Sequence, residues 1–459
     1  MNTPPASGVL NALSVVHRRR FLQTAAGAVG LCLLNQSSQA RPKQRLKVAA
    51  VFTEMSYRSH AHVIMENFLE PYDFNGQVTD SGCDIVSFYA DQFPEKKDLA
   101  RQVAKAYGIP IFPSILDALT LGGKELAVDA VLSIGEHGNY PVNAKGQREY
   151  PRKRFFDEIV KVFRSSGRVV PVFNDKHLSY RWDWAREMTD TAREMSIPLM
   201  AGSSVPLAQR VPALELPPQV KIEEAIATHG GGLDSYDFHG LEVLQSMVES
   251  RAGGETGVAS VQYLAQEALW KAAEAGQWSP KLLLAALQAE PNRPGTPQTE
   301  EQLKSYTSWG LMLRYRDGLK GMVVKTNQDG THWHFACRTV GEQKPLATSF
   351  YVGPWQNRCL FKALSHAIQE HFRNGKAPYP VERTLLTTGL VEAGVESHCR
   401  GDMLYQTPHL NIKYAAQDYR AMREMGDTWK LINEKTPEPN GIDHLGKVAE
   451  RMSRASGTR

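Results

Sequence analysis

The chain has 459 residues, of which 42% are apolar and 22% charged, a composition typical of a soluble globular protein. Its 53 basic and 49 acidic residues nearly cancel, and three of the basic residues lie within the first 40 positions, which hold no acidic one. The remainder is therefore close to neutral and lacks the clustered basic surplus that a nucleic-acid partner requires. The roughly 420 residues after position 40 are enough for two domains.

The five cysteines are too few for a disulfide scaffold. One, Cys32, lies near the N-terminus, and the others are Cys83, Cys337, Cys359 and Cys399. No two of them have the C-x-x-C spacing of a structural zinc site. One disulfide between two of these cysteines remains an open alternative.

The N-terminal segment resembles a twin-arginine export signal. Residues 17–23 read His-Arg-Arg-Arg-Phe-Leu-Gln, and a weakly apolar run over 24–34 leads to the small-residue end at 38–40. The apolar run is about a dozen residues long, below the roughly 20 needed to cross a bilayer. We expect residues 1–40 to be a signal peptide, the twin-arginine translocase to be a partner, and the location to be periplasmic or otherwise exported. An ordinary secretory signal or a basic leader is the alternative.

From residue 45 to 205 the chain alternates apolar runs with amphipathic segments. This alternation predicts a doubly wound parallel sheet with helices on both faces, a Rossmann-like dinucleotide-binding domain. The predicted strands are 46–52, 84–89, 109–112, 127–134, 169–173 and 198–201. The predicted helices are 60–69, 97–107, 114–119, 155–165 and 182–194.

Residues 206–435 differ in texture and predict an α+β domain, with an open, mainly antiparallel sheet and helices on one face. The predicted strands are 220–229, 311–315, 320–326, 332–337 and 348–352. The predicted helices are 240–250, 258–275, 280–287, 357–373 and 383–399. Residues 288–299 predict a surface loop, and 436–459 a polar tail.

Residues at three places where strands or loops end could carry chemistry, since ligands of doubly wound sheets bind beyond the carboxyl ends of the strands. Val-Pro-Val-Phe-Asn-Asp-Lys-His at 170–177 closes one strand. A glycine run at 230–232 precedes Asp234 and His239. Ile-Gly-Glu-His-Gly at 134–138 closes the strongest strand.

These three stretches and the helix predicted at 383–399 resemble the glucose–fructose oxidoreductase/inositol dehydrogenase (Gfo/Idh/MocA-type) family in their order, spacing and residue types. The resemblance is in particular to an exported branch of that family. The resemblance extends over most of the chain after the leader. It implies an NAD(P)-dependent oxidoreductase that acts on a sugar or polyol, and a homo-oligomer formed through the exposed face of the second sheet.

The resemblance implies two catalytic pairs. Lys176 takes the place of the family's lysine beside the nicotinamide, where it would orient the reacting hydroxyl and help remove its proton, with Asp175 holding its ammonium. His177 stands where the family has proline, a departure that changes the local backbone constraint. His239 would be a general acid/base, oriented by Asp234 or Asp237.

Glu136 and His137 are expected beside the ribose and nicotinamide of the cofactor. Metal binding is the alternative for this region, because Glu136, His137, Asp234, His239 and His229 could converge. None of them has a fixed metal-ligand spacing, and we assign no metal site.

The glycine fingerprint of dinucleotide-binding folds is missing. After the first strand the chain reads Phe-Thr-Glu-Met-Ser-Tyr-Arg-Ser over 52–59, with no glycine to let the backbone approach a pyrophosphate. Thr53, Arg58 and Ser59 are the candidate cofactor contacts here, with Arg58 and Ser59 as donors at the helix N-terminus. Asp91, after the second strand, is a candidate for the ribose 2′-hydroxyl and would favour NAD over NADP.

Two other functions stay open at this point. One is a lyase or hydrolase of modified sugars that works without a nicotinamide on the same scaffold. The other is a non-catalytic carbohydrate-binding or assembly protein, because fold-level similarity does not establish activity.

Overall fold

A computed structural model describes residues 44–290, 292–439 and 442. The twin-arginine segment and most of the tail predicted at 436–459 lie outside these residues. No helix within them is long and apolar enough to cross a membrane. The four cysteines in this part of the chain are free thiols, and only Cys399 is exposed.

The first part of the chain builds a five-stranded parallel sheet. Its elements in chain order are β1 (Leu46–Phe52), α1 (His60–Leu69), β2 (Tyr72–Phe74), β3 (Gln77–Thr79), β4 (Cys83–Ala90), α2 (Ala100–Tyr107), α3 (Ile115–Thr120), β5 (Ala130–Ile134), α4 (Arg152–Ser166), β6 (Val172–Asp175), α5 (Trp182–Glu194) and β7 (Leu199–Gly202). The strand order is β4-β1-β5-β6-β7, and β2 and β3 form a separate hairpin. Strands β5, β6 and β7 are buried along their whole length, as expected for strands covered on both faces.

The second part builds an eight-stranded sheet in the order β15-β10-β11-β12-β9-β13-β14-β8. Its elements are β8 (Gln209–Val211), β9 (Ile222–His229), α6 (Asp237–Val248), β10 (Val258–Ala265), α7 (Gln266–Glu274), α8 (Pro280–Gln288), α9 (Glu300–Tyr306), β11 (Thr307–Tyr315), β12 (Lys320–Thr326), β13 (His334–Thr339), β14 (Leu346–Tyr351), α10 (Asn357–Asn374), α11 (Val381–Cys399) and β15 (Tyr405–Gln406). Short 3-10 turns cover Val205–Leu207, Pro408–Leu410, Arg420–Met422 and Asp427–Lys430. Only the pair β9–β12 is parallel. The predicted fold class, a Rossmann-like parallel sheet followed by a mainly antiparallel one, is confirmed; the predicted domain boundary at 205 stays a prediction.

Helices cover both faces of the second sheet, so the expectation of helices on one face is wrong. Alternate residues of β9 point to opposite sides: Ala225 and Ala227 join the core that contains α6 and α11, and Ile226 joins a second core with Leu269, Leu283 and other residues of α7 and α8. The exposed face on which the oligomer expectation rested is therefore occupied by α7 and α8.

Two predicted segments differ from the structure. The helix predicted over 258–275 is a strand, β10, followed by α7, because β10 pairs with β11 and its side chains alternate: Val261 and Tyr263 join one core and Leu264 the other. The strand predicted over 109–112 is reduced to a single bridge between Phe88 and Ile111.

The later part of the chain packs back on the first sheet. Helix α10 lies against α1, where Asn67 Nδ2 donates to Ser365 Oγ at 3.1 Å and Arg358 pairs with Glu66 at 2.5 Å. Helix α11 contacts α5 and β7. These contacts hold the carboxyl edge of the parallel sheet against α6 and α10.

Candidate active site

The carboxyl ends of β1, β5 and β6 lie at one edge of the parallel sheet. The loops that leave these strands carry Ser59, Glu136, His137 and Lys176, and the first turn of α6 brings His239 to the same edge. The backbones of His137 and Lys176 are left-handed, with φ of 71° and 66°. Residues other than glycine adopt this conformation at a cost in energy, and such strain is concentrated at functional sites.

Lys176 and His239 are in direct contact. Lys176 Nζ lies 2.8 Å from His239 Nε2 and donates to the carbonyl oxygen of Ser235 at 3.1 Å. Burial, and then the charge of Lys176, lower the pKa of His239 well below its usual value. The imidazole is therefore neutral at pH 7, so Nε2 accepts from the lysine and Nδ1 carries the ring proton. His239 Nδ1 has no hydrogen-bond partner among the described residues.

Glu136, rather than Asp175, is the carboxylate beside Lys176. Glu136 Oε1 lies 3.7 Å from Lys176 Nζ, and its other oxygen pairs with the fully buried Arg152. Burial acts to raise the pKa of Glu136, but Lys176 and Arg152 outweigh it and lower that pKa well below its usual range. Glu136 is therefore a charged counter-ion beneath the site rather than a wall of the cofactor cavity.

Asp175 binds a histidine that sequence reasoning missed. Asp175 Oδ2 lies 2.6 Å from His60 Nδ1, so the expectation that Asp175 holds the lysine ammonium is wrong. The left-handed turn at Lys176 separates the two side chains. His60 is the first residue of α1, and the signal that could have found it is its place directly after the β1 exit loop. With Nδ1 held by the carboxylate, Nε2 is left for a second partner.

The two candidate orienting carboxylates do not contact His239. Asp237 Oδ1 pairs with His229 Nε2 at 2.9 Å, where both side chains are buried. Asp234 is buried as well, and burial raises its pKa to about 6. The partner that orients His239 is Lys176.

The glycine run serves the packing of Tyr236. A Cβ on Gly231 would lie 1.9 Å from the Tyr236 ring, and one on Gly230 would lie 2.0 Å from the carbonyl oxygen of Asp329. Only glycine permits these approaches. The centroid of the Tyr236 ring lies 5.7 Å from the centroid of the His239 ring. It lies 6.0 Å from Lys176 Nζ.

Two neighbouring cavities open at this edge and share Arg58 and His137. The larger, about 820 Å³, lies over the exits of β1, β4 and β5 and is lined by the loop 54–59, with Lys97 and Arg148. The smaller, about 230 Å³, lies between the parallel sheet and α6. Its wall includes His60, His239, Trp333, Asn357 and Phe361. Burial, and then His60, lower the pKa of His137 to about 4, so this third histidine is also neutral at pH 7.

The larger cavity suits a diphosphate by charge. Arg58, Lys97 and Arg148 line it with one carboxylate, Glu54, which accepts from Ser56 Oγ at 2.8 Å and lies 3.4 Å from Lys97. The Arg58 guanidinium also pairs with Glu438, outside the lining, and donates to Gln356 Oε1 at 2.8 Å. Ser59 caps α1 by accepting from the His62 amide. The first two helical amides then remain for an anion. A dinucleotide therefore fits here through cationic side chains and a helix N-terminus instead of a glycine backbone.

Two predicted cofactor contacts are committed elsewhere. Thr53 is fully buried, and its hydroxyl donates to the carbonyl of Glu136 at 2.5 Å. Asp91 accepts from Tyr89, Tyr140 and Arg154 at 2.6–2.7 Å. Burial acts to raise the pKa of Asp91, but these hydrogen bonds outweigh it and lower that pKa. Of the six predicted cofactor contacts, Arg58, Ser59 and His137 line the larger cavity.

The described residues include no group of three or more histidine, cysteine, aspartate or glutamate side chains arranged to hold a metal ion. The histidines of the site contact protein groups instead. His60 pairs with Asp175, His239 with Lys176, and His229 with Asp237.

The fold is similar to those of solved structures that include two dehydrogenases. GenD2 from gentamicin A biosynthesis, solved in complex with NAD, aligns with a TM-score of 0.51 at 12% identity over 79% of this chain and 96% of its own. A myo-inositol dehydrogenase from Corynebacterium glutamicum has a TM-score of 0.48 at 13% identity, over 79% and 98% of the two chains. The WlbA dehydrogenase from Bordetella pertussis, in complex with NADH and UDP-GlcNAcA, has a TM-score of 0.45 at 13% identity, over 79% and 99%.

No family model matches the sequence. No curated protein matches it either. The identity to the solved structures is so low that the likeness concerns the fold alone. At that level the expected fold is confirmed: the chain shares with GenD2 a Rossmann-like parallel sheet followed by a mainly antiparallel one.

Proposed function

We propose that the protein is an NAD(P)-dependent oxidoreductase that oxidises a hydroxyl of a sugar or polyol. The observation that carries the proposal is the 2.8 Å contact between Lys176 and His239 at the carboxyl edge of a Rossmann-like sheet, where His239 lines the smaller cavity. Ligands of doubly wound sheets bind at this edge. The fold shared with NAD-bound GenD2 supports the choice of cofactor.

Arg58, Ser59, Lys97 and Arg148 would hold the dinucleotide in the larger cavity. When bound, it supplies the hydride acceptor. Glu54 sets a limit on affinity there, because its charge opposes that of the phosphates at close range.

The smaller cavity would hold the substrate. Its aromatic side chains, Trp333 and Phe361, offer flat apolar faces, and Asn357, Thr331 and Gln356 offer hydrogen-bonding groups. This combination suits a ring or chain that carries several hydroxyls. A site of about 230 Å³ accommodates one small unit rather than a polymer.

Two histidines divide the proton chemistry. His60, held by Asp175 through Nδ1, presents Nε2 as the base that takes the proton from the hydroxyl oxygen while a hydride leaves the carbon that bears this hydroxyl, so that a C=O bond forms. His239 lies in the wall of the smaller cavity, and its buried Nδ1–H would have to turn toward that cavity to donate a hydrogen bond to the substrate oxygen. Lys176, on the other nitrogen, strengthens that donor by its positive charge. Lys176 has a side chain only 3% exposed and is a positioning residue.

Binding of the nucleotide tests the proposal directly. The purified full chain is heated with NAD, NADP or ADP-ribose, and binding to the native state raises the melting temperature. We expect a rise with NAD or NADP, and reduction of that nucleotide at 340 nm with at least one member of a panel of inositols, aldoses and uronic acids. Absence of any shift, together with no nucleotide in the purified protein, would overturn the proposal.

We also propose that the protein is exported to the periplasm by the twin-arginine pathway. The residues at 17–23 and the weakly apolar run after them support this proposal. A pathway that carries folded proteins suits an enzyme that takes up its nucleotide before export.

A further inference from the structure

A third cavity, of about 950 Å³, lies at the far end of α6 from His239. Ser246, which lines this cavity, lies seven positions after His239 on the helix, a rise of about 10 Å. The other walls are the loop 215–219, the turn 253–256 and the extended segment 413–423. The volume lies in the range of small-molecule sites, and the proposed reaction makes no use of it.

Two arginines in this wall are buried. Arg423 is 2% exposed; its Nη2 pairs with Glu215, and its Nε and Nη1 find no acceptor within residues 44–290, 292–439 and 442. Arg210 has a side chain 8% exposed, and its Nη1 donates to the Leu214 carbonyl at 3.0 Å and to Glu215 at 3.3 Å. Its Nε also lacks a partner in the described part of the chain.

The other carboxylates in this wall are already paired. Glu249 accepts from Arg383 at 2.9 Å, Glu255 accepts from Arg251 at 2.9 Å, and Asp418 pairs with Arg420. Glu215 is therefore the carboxylate that faces both Arg210 and Arg423. Two buried guanidinium groups against one carboxylate leave an excess positive charge, which is unfavourable unless an anion compensates it.

We propose that Arg210 and Arg423 form a binding site for an anionic small molecule, in which Glu215 occupies the place of the ligand's acidic group. Glu215 has a side chain 46% exposed, on a loop that also holds Pro217 and Pro218, so it can turn into solvent while the arginines stay in place. A carboxylate or phosphate matches the planar donor set of guanidinium.

The other residues of the cavity wall indicate what the uncharged part of the ligand is. Ser246, Ser250 and Gln219 offer hydrogen-bonding groups, and Tyr414 and Tyr419 offer ring faces. A sugar acid or a sugar phosphate satisfies both features. The acidic group is what the two arginines recognise in either ligand.

Calorimetry on the full chain without nucleotide tests this proposal with inorganic phosphate, glucuronate, glucose 6-phosphate and uncharged glucose. We expect at least one anion to bind and glucose not to bind. Glu215→Gln should raise the affinity for the anion about tenfold, because the competing carboxylate is gone, and Arg210→Met should abolish binding. The tighter of glucuronate and glucose 6-phosphate identifies the acidic group.

Three outcomes overturn the proposal, and none depends on turnover. The first is that no anion binds to either the natural chain or Glu215→Gln, a variant that leaves both arginines in place. The second is an equal gain in Glu301→Gln, which removes one exposed charge on α9 and serves as the matched control. The third is displacement of the anion by NAD, which would place it in the nucleotide cavity instead.

Discussion

Lys176 Nζ and His239 Nε2 are 2.8 Å apart, and this contact links the exit of β6 in the parallel sheet to the first turn of α6 on the second sheet. Neither partner is on the surface, since Lys176 is 2% and His239 7% exposed. The two sheets must therefore keep their relative position for the site to exist. Four further ionisable side chains, Asp175, Glu136, Arg152 and His60, surround the pair.

Replacing Lys176 tests the positioning role. Lys176→Met removes the positive charge that lies beside His239 Nε2 and keeps most of the side-chain volume. We expect turnover to fall about 10²–10⁴-fold. The nucleotide-induced rise in melting temperature should persist, because the larger cavity is unchanged. Steady-state kinetics and thermal melting give the two readouts. Lys161→Met, an exposed lysine on α4, is the control; a Lys176 variant as active as this control would contradict the role.

Replacing Asp175 tests whether His60 acts as a held base. Asp175→Asn keeps the shape but loses the charge beside His60 Nδ1, and we expect kcat to fall about 10–100-fold with little change in KM. His60→Ala should lose at least as much. In the double variant the two losses should not add, since both act through one imidazole. Full additivity would show that the two residues act separately.

Opposite changes in the larger cavity should move nucleotide affinity in opposite directions. Glu54→Gln removes the carboxylate from the proposed phosphate site and keeps an acceptor for Ser56, so Kd for the nucleotide should fall a few-fold. Arg148→Met removes a cation and should raise Kd about tenfold. Calorimetry with NAD measures both. Unchanged affinity in the two variants would exclude this cavity as the phosphate site.

Glu242 should make the folded state less stable as the pH rises. Burial raises the pKa of Glu242 to about 7, although its carboxylate accepts from the Ser203 amide at 2.7 Å. Between about pH 4.5 and 7 the unfolded chain loses this proton and the folded chain keeps it, so the stabilisation present at low pH is lost as the pH rises. The Glu242→Gln variant has no carboxyl group at this position and therefore does not show this loss of stability with pH. Relative to the natural chain it should gain about 2–3 kcal/mol between pH 4.5 and 8.

Urea unfolding at several pH values measures that gain. Glu301→Gln, an exposed carboxylate, should follow the natural chain at every pH. A constant difference between Glu242→Gln and the natural chain across the range would show that Glu242 titrates alike in both states.

Export should depend on the arginine pair at 18–19. Arg18→Lys together with Arg19→Lys keeps the charge but changes the motif, and we expect the protein to stay in the cytoplasm of a bacterial host. Cell fractionation measures the distribution, with Arg41→Lys as the control. Export that continues in a host lacking the twin-arginine translocase would support an ordinary secretory signal instead.

The order of buried strands and amphipathic helices is enough to identify the parallel sheet, because apolar runs such as Leu46–Phe52 have few alternatives to a strand covered on both faces. The same local reasoning failed at 258–265. The apolar run of β10 directly precedes a helix, α7, and the sequence gives no local sign of where the strand ends and the helix begins. The pairing of β10 with β11 decides that boundary.

The sequence by itself determined the fold class and singled out Lys176 and His239, because strand exits and glycine runs are local signals. Only the tertiary structure decided the partners: Asp175 with His60, Glu136 with Arg152, and Asp237 with His229. These pairs join residues up to 115 positions apart. Which buried charges meet depends on how the loops turn after each strand and on how the sheets dock, and neither is encoded in the spacing of residues along the chain.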